Sequence, residues 1–135
     1  MIRYLADTNI LGYFTRGARA ALHQRMGLAL QANEVAISAI TRAEIRFGQR
    51  LLNANNKRQA AIDLLLDQIV TLAWPPEAAE PYGEIAAQLR KTGQPIGEID
   101  TLIAAHALVA GLTLVTHNTR HFERIPGLRL EDWMA

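Results

Sequence analysis

From end to end the chain alternates short apolar runs with segments of helical period, and that alternation is the strongest constraint on its fold. Residues 2–7 are an apolar run around Tyr4 that ends in Asp7-Thr8-Asn9, a turn and N-cap signal, so a strand passing into a helix is predicted. Residues 18–30 carry apolar side chains at helical spacing, Asn33 breaks them, and Val35 to Ser38 reads as a short second strand. In residues 39–53, Ile40, Glu44, Phe47, Gly48 and Leu51 share one helical face, read as the inward one, while Arg42, Arg46 and Arg50 share the other. That arginine stripe is expected to face solvent or a second subunit.

Residues 55–69 read as another amphipathic helix, and Val70 to Trp74 as a strand stopped by Pro75 and Pro76. A helix follows from about Glu77 to Arg90, with Pro81 as a break or first-turn residue. After a loop of Gly93, Pro95 and Gly97, Asp100 opens a helix closed by Gly111, and Thr113 to Thr116 is a buried strand. Crossovers of this length predict an α/β fold, a three-layer sandwich around a central, mainly parallel sheet. No repeat or linker divides the chain, so a single domain over residues 1–135 is expected.

Composition narrows the function classes. Fourteen Lys and Arg against thirteen Asp and Glu leave a net charge of +1, which excludes a highly basic chromatin-type protein and an acidic disordered tail. The absence of cysteine excludes a disulfide framework, a zinc ribbon and a thiol nucleophile. With no signal peptide and no apolar run near the roughly 20 residues of a membrane span, a cytoplasmic location without a membrane partner is expected.

The chemistry concentrates in acids. Asp7 ends the first strand, where open parallel sheets place their ligand crevice, although an Asp there also caps a helix. Glu44 follows Thr41 in the capping-box pattern Thr-x-x-Glu, but if that helix starts at Ser38 the acid sits inside an apolar face. Asp100 precedes an apolar helix and could equally be a cap. Three carboxylates from separate elements converging on one spot would repel and call for a cation. An all-oxygen set of this kind suits Mg²⁺ or Mn²⁺, which bind phosphate oxygens and activate water, so metal-dependent phosphodiester hydrolysis follows. Gly-rich dinucleotide, P-loop, Gly-x-Ser-x-Gly and His-Glu-x-x-His templates are all absent.

The segments YLADTN, AITRAEIRFG, GQPIGEIDTLIAAHAL, GLTLVTHNTRHF and RIPGLRLEDW, in that order and spacing, resemble the PIN-domain toxins of VapC type across nearly the whole chain. The resemblance implies a PIN fold and a Mg²⁺- or Mn²⁺-dependent endoribonuclease that cleaves tRNA or ribosomal RNA to inhibit translation. It further implies a homodimer neutralised by a VapB-type antitoxin, whose basic side chain enters the acid pocket. By this resemblance Asp7, Glu44 and Asp100 are the metal-binding and catalytic acids, and Thr8, Asn9, Thr116 and Asn118 are supporting polar residues.

The fourth acid position departs from the pattern, because His121 stands where Asp or Glu is usual. An imidazole removes a negative charge and a hard oxygen, which shifts the expected preference from Mg²⁺ toward Mn²⁺. Glu98 is a candidate to supply the missing charge. His117, four residues before His121, is a candidate second imidazole. Arg16, Arg19 and Arg120 are candidate RNA contacts, and Tyr13 and Phe14 either stack on a base or pack in the core. His23, His106, Trp74 and Trp133 are read as packing or surface residues. Two other readings stay open: a catalytically weakened PIN domain acting by RNA or partner binding, and a metal-dependent nuclease acting on DNA.

Overall fold

A computed structural model describes residues 1–17, 19–52 and 56–135. Its strands are β1 (Tyr4–Ala6), β2 (Val35–Ser38), β3 (Val70–Leu72), β4 (Thr113–Val115) and β5 (Leu130–Glu131). Among the described residues they form one sheet in the order β3-β2-β1-β4-β5, with every pairing parallel. The helices are α1 (Thr8–Arg16), α2 (Ala20–Gln31), α3 (Ala39–Leu51), α4 (Asn56–Gln68), α5 (Ala79–Lys91), α6 (Glu98–Ala110) and α7 (Thr119–Phe122), with a 3₁₀ turn at Pro76–Ala78 before α5. The predicted α/β sandwich with a parallel sheet is the fold observed.

The alternation of side chains along β1 divides the interior. Tyr4 and Ala6 enter a cluster with Ile10, Leu22, Met26, Leu66 and Trp133, while Leu5 enters the opposite cluster with Leu89, Ile103, Leu114 and Phe122. Both faces of the central strand are therefore covered, the condition under which a purely parallel sheet is stable. The connection from α2 to β2 turns at Asn33, which takes the left-handed conformation at φ 54° that its short amide side chain tolerates. Gly111 ends α6 in the same region at φ 67°, as its position predicted.

The sequence reading misplaced several boundaries. The described helix α2 begins at Ala20, with Ala18 outside the described residues, as are Asn53 and Asn55 at the expected end of α3 and start of α4. The third strand stops at Leu72 instead of Trp74, whose indole Nε1 turns to donate to the Leu102 carbonyl at 2.9 Å. Pro81 is accommodated in the first turn of α5, where the missing N–H costs nothing. Helix α6 begins at Glu98 behind Gly97, so Asp100 lies inside the first turn and is not the cap.

The inward face of α3 is also shifted. Thr41 is its fully buried residue and Ile45 packs on the core, whereas Phe47 and Leu51 are 64% and 69% exposed. Two of the three stripe arginines are engaged within the fold, with Arg42 donating to the Leu66 carbonyl and Thr71 Oγ1, both at 3.1 Å, and Arg46 meeting Asp63 at 2.6 Å, while Arg50 is exposed as expected. Among the described residues no helix is long and apolar enough to cross a membrane.

Candidate active site

The strand order reverses direction at β1, whose neighbours β2 and β4 are reached by separate crossovers, and the carboxyl ends of β1 and β4 lie side by side. Asp7 follows one strand and Thr116 the other, so both sit at the switch point where open α/β sheets bind ligands. Asp7 is 3% exposed and fully engaged. Its Oδ1 accepts the Ile10 N–H at 2.9 Å, capping α1, and its Oδ2 accepts the Thr116 hydroxyl at 2.6 Å. The cap and the site are thus one residue. Thr116 Oγ1 in turn accepts the Asn118 N–H at 2.9 Å, which fixes the loop after β4.

Glu44 and Asp100 approach from other elements. Ser38 caps α3 by accepting the Ile40 N–H at 3.2 Å, so Glu44 lies well inside that helix and the capping-box alternative falls away. Glu44 and Asp100 line one cleft of about 310 Å³ together with Thr8, Asn9 and Glu98. Burial pushes the Asp7 carboxyl up to about 6, against the pull of its two hydrogen bonds, and the charges of Asp100 and Glu44 add to the rise. Asp100 is raised as well, first by burial and then by Glu44, with His121 acting in the opposite sense. Asp7, Glu44 and Asp100 are therefore within electrostatic reach of one another, and His121 is within reach of Asp100.

Such a set fits a hard divalent ion. Glu44, Glu98 and Asp100 line one recess with Asp7 buried behind them, and the Thr8 hydroxyl is buried with no hydrogen-bond partner among the described residues, an unusual state for a buried polar atom. Among the described residues no three His, Asp or Glu side chains are already drawn together into a metal cage.

The remaining candidates divide. His121 Nδ1 lies 2.7 Å from the Asn118 amide nitrogen, while His117 Nδ1 is at 3.0 Å from Asp132 Oδ2 and its ring meets Tyr13 edge-on. The two imidazoles do not share a helix face, because α7 starts at Thr119, after His117. Arg16 lines a second cleft that shares Thr8, Asn9 and Glu44 with the first; Arg19 and Arg120 are exposed and line neither. Phe14 stacks on His23, and Trp133 packs against Tyr4 in the core. Asp132 escaped the sequence reading; its signal was an acid directly after the strand-like run Leu128 to Glu131.

Comparison with known proteins places this geometry in a family. The PIN domain profile matches residues 4–128. A tRNA(fMet)-specific endonuclease VapC of Shigella flexneri is 35% identical over 98% of this chain and 99% of its own, and ribonuclease VapC2 of Haemophilus influenzae is 37% identical over 99% and 100%. The crystal structure of VapBC2 from Rickettsia felis bound to a DNA fragment from their promoter superposes with a TM-score of 0.87 at 34% identity, covering 98% of this chain and 99% of that one. With its switch-point acids and full-length similarity, the chain belongs to the PIN-domain family, in its VapC group.

Proposed function

We propose that this protein is a metal-dependent endoribonuclease, the toxin of a toxin–antitoxin pair, that cleaves RNA of the tRNA or ribosomal class and so inhibits translation. The observation that carries the reading is the convergence of Asp7, Glu44 and Asp100, each from a different element, with Asp7 driven up to about 6 by burial and by the other two acids. Its relatives' names as tRNA-specific endonuclease and ribonuclease support the same activity.

In this reading Asp7, Glu44 and Asp100 hold a divalent ion, with Glu98 and His121 at its margin and Mn²⁺ favoured over Mg²⁺ by the imidazole. The bound ion supplies Lewis acidity toward the phosphate oxygens and the attacking water. The protein's own residues do the positioning. Thr116 and the α1 cap fix both oxygens of Asp7, Asn118 orients His121, and Thr8 and Asn9 line the recess that receives the phosphate. Arg16 stands on the wall of the adjoining cleft as a phosphate contact.

The antitoxin, a VapB-type chain, occupies that adjoining cleft of about 360 Å³ between α1, α3 and α4. Leu11, Ile45 and Ile62 line it and Glu44 lies at its acid end, so an apolar segment carrying one Arg would seat there and replace the ion's charge. The reading includes a single domain and a homodimer; sedimentation of the purified protein at twice the monomer mass is the expected result for the latter, and a monomer mass would overturn it. The activity is tested by incubating the purified protein with total RNA and with single-stranded DNA, in Mg²⁺, Mn²⁺ or EDTA, beside Asp7→Asn. RNA fragments that need metal and Asp7 are expected; cleavage of DNA in preference, or RNA binding without cleavage, would overturn it.

A further inference from the structure

The loop after β4 carries a second device beside the acids. His117 Nδ1 lies 3.0 Å from Asp132 Oδ2, and the other oxygen of Asp132 accepts the Met134 N–H at 2.9 Å, so the carboxylate is held from behind. A carboxylate only accepts, which puts the Nδ1 proton in that bond and leaves Nε2 of the neutral ring with an open lone pair. The ring stands edge-on to Tyr13, with centroids 5.7 Å apart at 84°, and about half of the side chain is exposed.

Tyr13 is in turn covered by Arg16, whose Cζ lies 5.8 Å from the ring centroid. Arg16 has no hydrogen-bonded or ion-paired partner among the described residues, and with Tyr13 it lines the cleft that also contains Thr8, Asn9 and Glu44. An imidazole and a guanidinium without an ion-pair partner among the described residues therefore flank one aromatic ring, and that ring and the guanidinium line the cleft that contains Glu44. Backbone phosphate wants the guanidinium; a lone-pair acceptor wants a hydroxyl donor, and the 2′-hydroxyl is the group that separates RNA from DNA.

We propose that His117, held by Asp132 and packed on Tyr13, is a specificity-determining ribose subsite, in which Nε2 accepts a hydrogen bond from the 2′-hydroxyl of a nucleotide flanking the scissile phosphate while Arg16 meets that nucleotide's phosphate. The subsite rests on the nuclease reading, since it assumes that RNA enters the acid recess, but it needs no metal. It makes RNA the preferred strand through the sugar and not through base sequence.

The test is fluorescence anisotropy in EDTA at about pH 8, well above the ordinary imidazole range. The probes are a short labelled single-stranded RNA and its all-deoxy and 2′-O-methyl counterparts. Wild type is expected to prefer RNA over both by roughly 3- to 10-fold, the scale of one net hydrogen bond. His117→Ala and His117→Phe abolish that preference by weakening RNA alone, with Phe retaining the ring against Tyr13. Arg16→Ala weakens RNA and DNA together and lowers the salt slope by about one. No preference in wild type, a preference untouched in both His117 variants, or equal loss for RNA and DNA in them would overturn the proposal. Metal-dependent cleavage is scored separately, so a ribose preference without cleavage would count against the nuclease reading alone.

Discussion

Thr116 donates its hydroxyl to Asp7 Oδ2 at 2.6 Å across the adjacent ends of β4 and β1, and both side chains are buried. This bond ties the loop after β4 to the cap of α1. Thr116→Val keeps the shape and removes the donor, leaving a buried carboxylate oxygen unpaired, so it is expected to lower the unfolding free energy by about 1.5–3 kcal/mol in EDTA. Thr116→Ser, which retains the hydroxyl, should recover most of it. Urea unfolding of the three proteins gives the comparison, and equal midpoints for Val and wild type would show that the bond contributes nothing.

Asp7 makes stability depend on pH in an unusual direction. Its carboxyl titrates at about 6 in the folded state and near 3.8 when free of its surroundings, so the folded state binds the proton first. Its contribution to stability is present below about pH 4 and is lost as pH rises through about 6. Asp7→Asn, which keeps an N-cap oxygen and sheds the buried charge, is therefore expected to be more stable than wild type at pH 8 by up to about 3 kcal/mol, at 1.36 kcal/mol per unit. The gain should vanish below pH 4. Chemical denaturation in EDTA across that range reads the difference, and an Asn variant less stable at pH 8 would reverse the sign.

His106 acts the other way. It is 2% exposed in the middle of α6, its Nδ1 lacks a hydrogen-bond partner among the described residues, and burial pushes its pKa below the ordinary 6.5. Its contribution is present above about pH 6.5 and is lost as pH falls below that value, because the unfolded ring takes up the proton more readily. His106→Leu removes this acid-side loss. The slope of stability against pH between 7 and 5 should become more negative in His106→Leu than in wild type; an unchanged slope would mean that His106 does not titrate with unfolding.

His121 should set the ion preference. Replacing it by Asp restores a hard anionic oxygen beside Asp100, so His121→Asp is expected to tighten Mg²⁺ binding by roughly tenfold relative to Mn²⁺. Isothermal calorimetry of both ions on both proteins measures the ratio, and a ratio indifferent to the substitution would place His121 away from the ion.

Much of this was legible in the chain. The period of the apolar pattern predicted the parallel sandwich, because the central strands β1 and β2 are buried throughout, and Asp7 was marked by its place between a strand and a helix. What escaped has physical causes. The two-residue β5 and the single turn α7 are too short for any periodicity. The face of α3 was misread because Phe47 and Leu51 are apolar yet exposed beside a cleft, while the buried positions include the polar Thr41. Asp132 gains its role only from a contact with His117, fifteen positions away and just past the end of the neighbouring strand. Sequence spacing supplied the acids; the tertiary fold alone supplied the groups that orient them.

The central claim is that Asp7, Glu44 and Asp100 jointly hold a divalent cation, and thermal unfolding of wild type and Asp7→Asn with and without Mn²⁺ tests it most directly. An ion bound only by the native cluster should raise the wild-type melting temperature by roughly 5 °C at a tenfold excess over its Kd, and leave Asp7→Asn nearly unmoved. A wild-type melting temperature indifferent to millimolar Mn²⁺, or an equal rise in the Asp7→Asn protein, would contradict it.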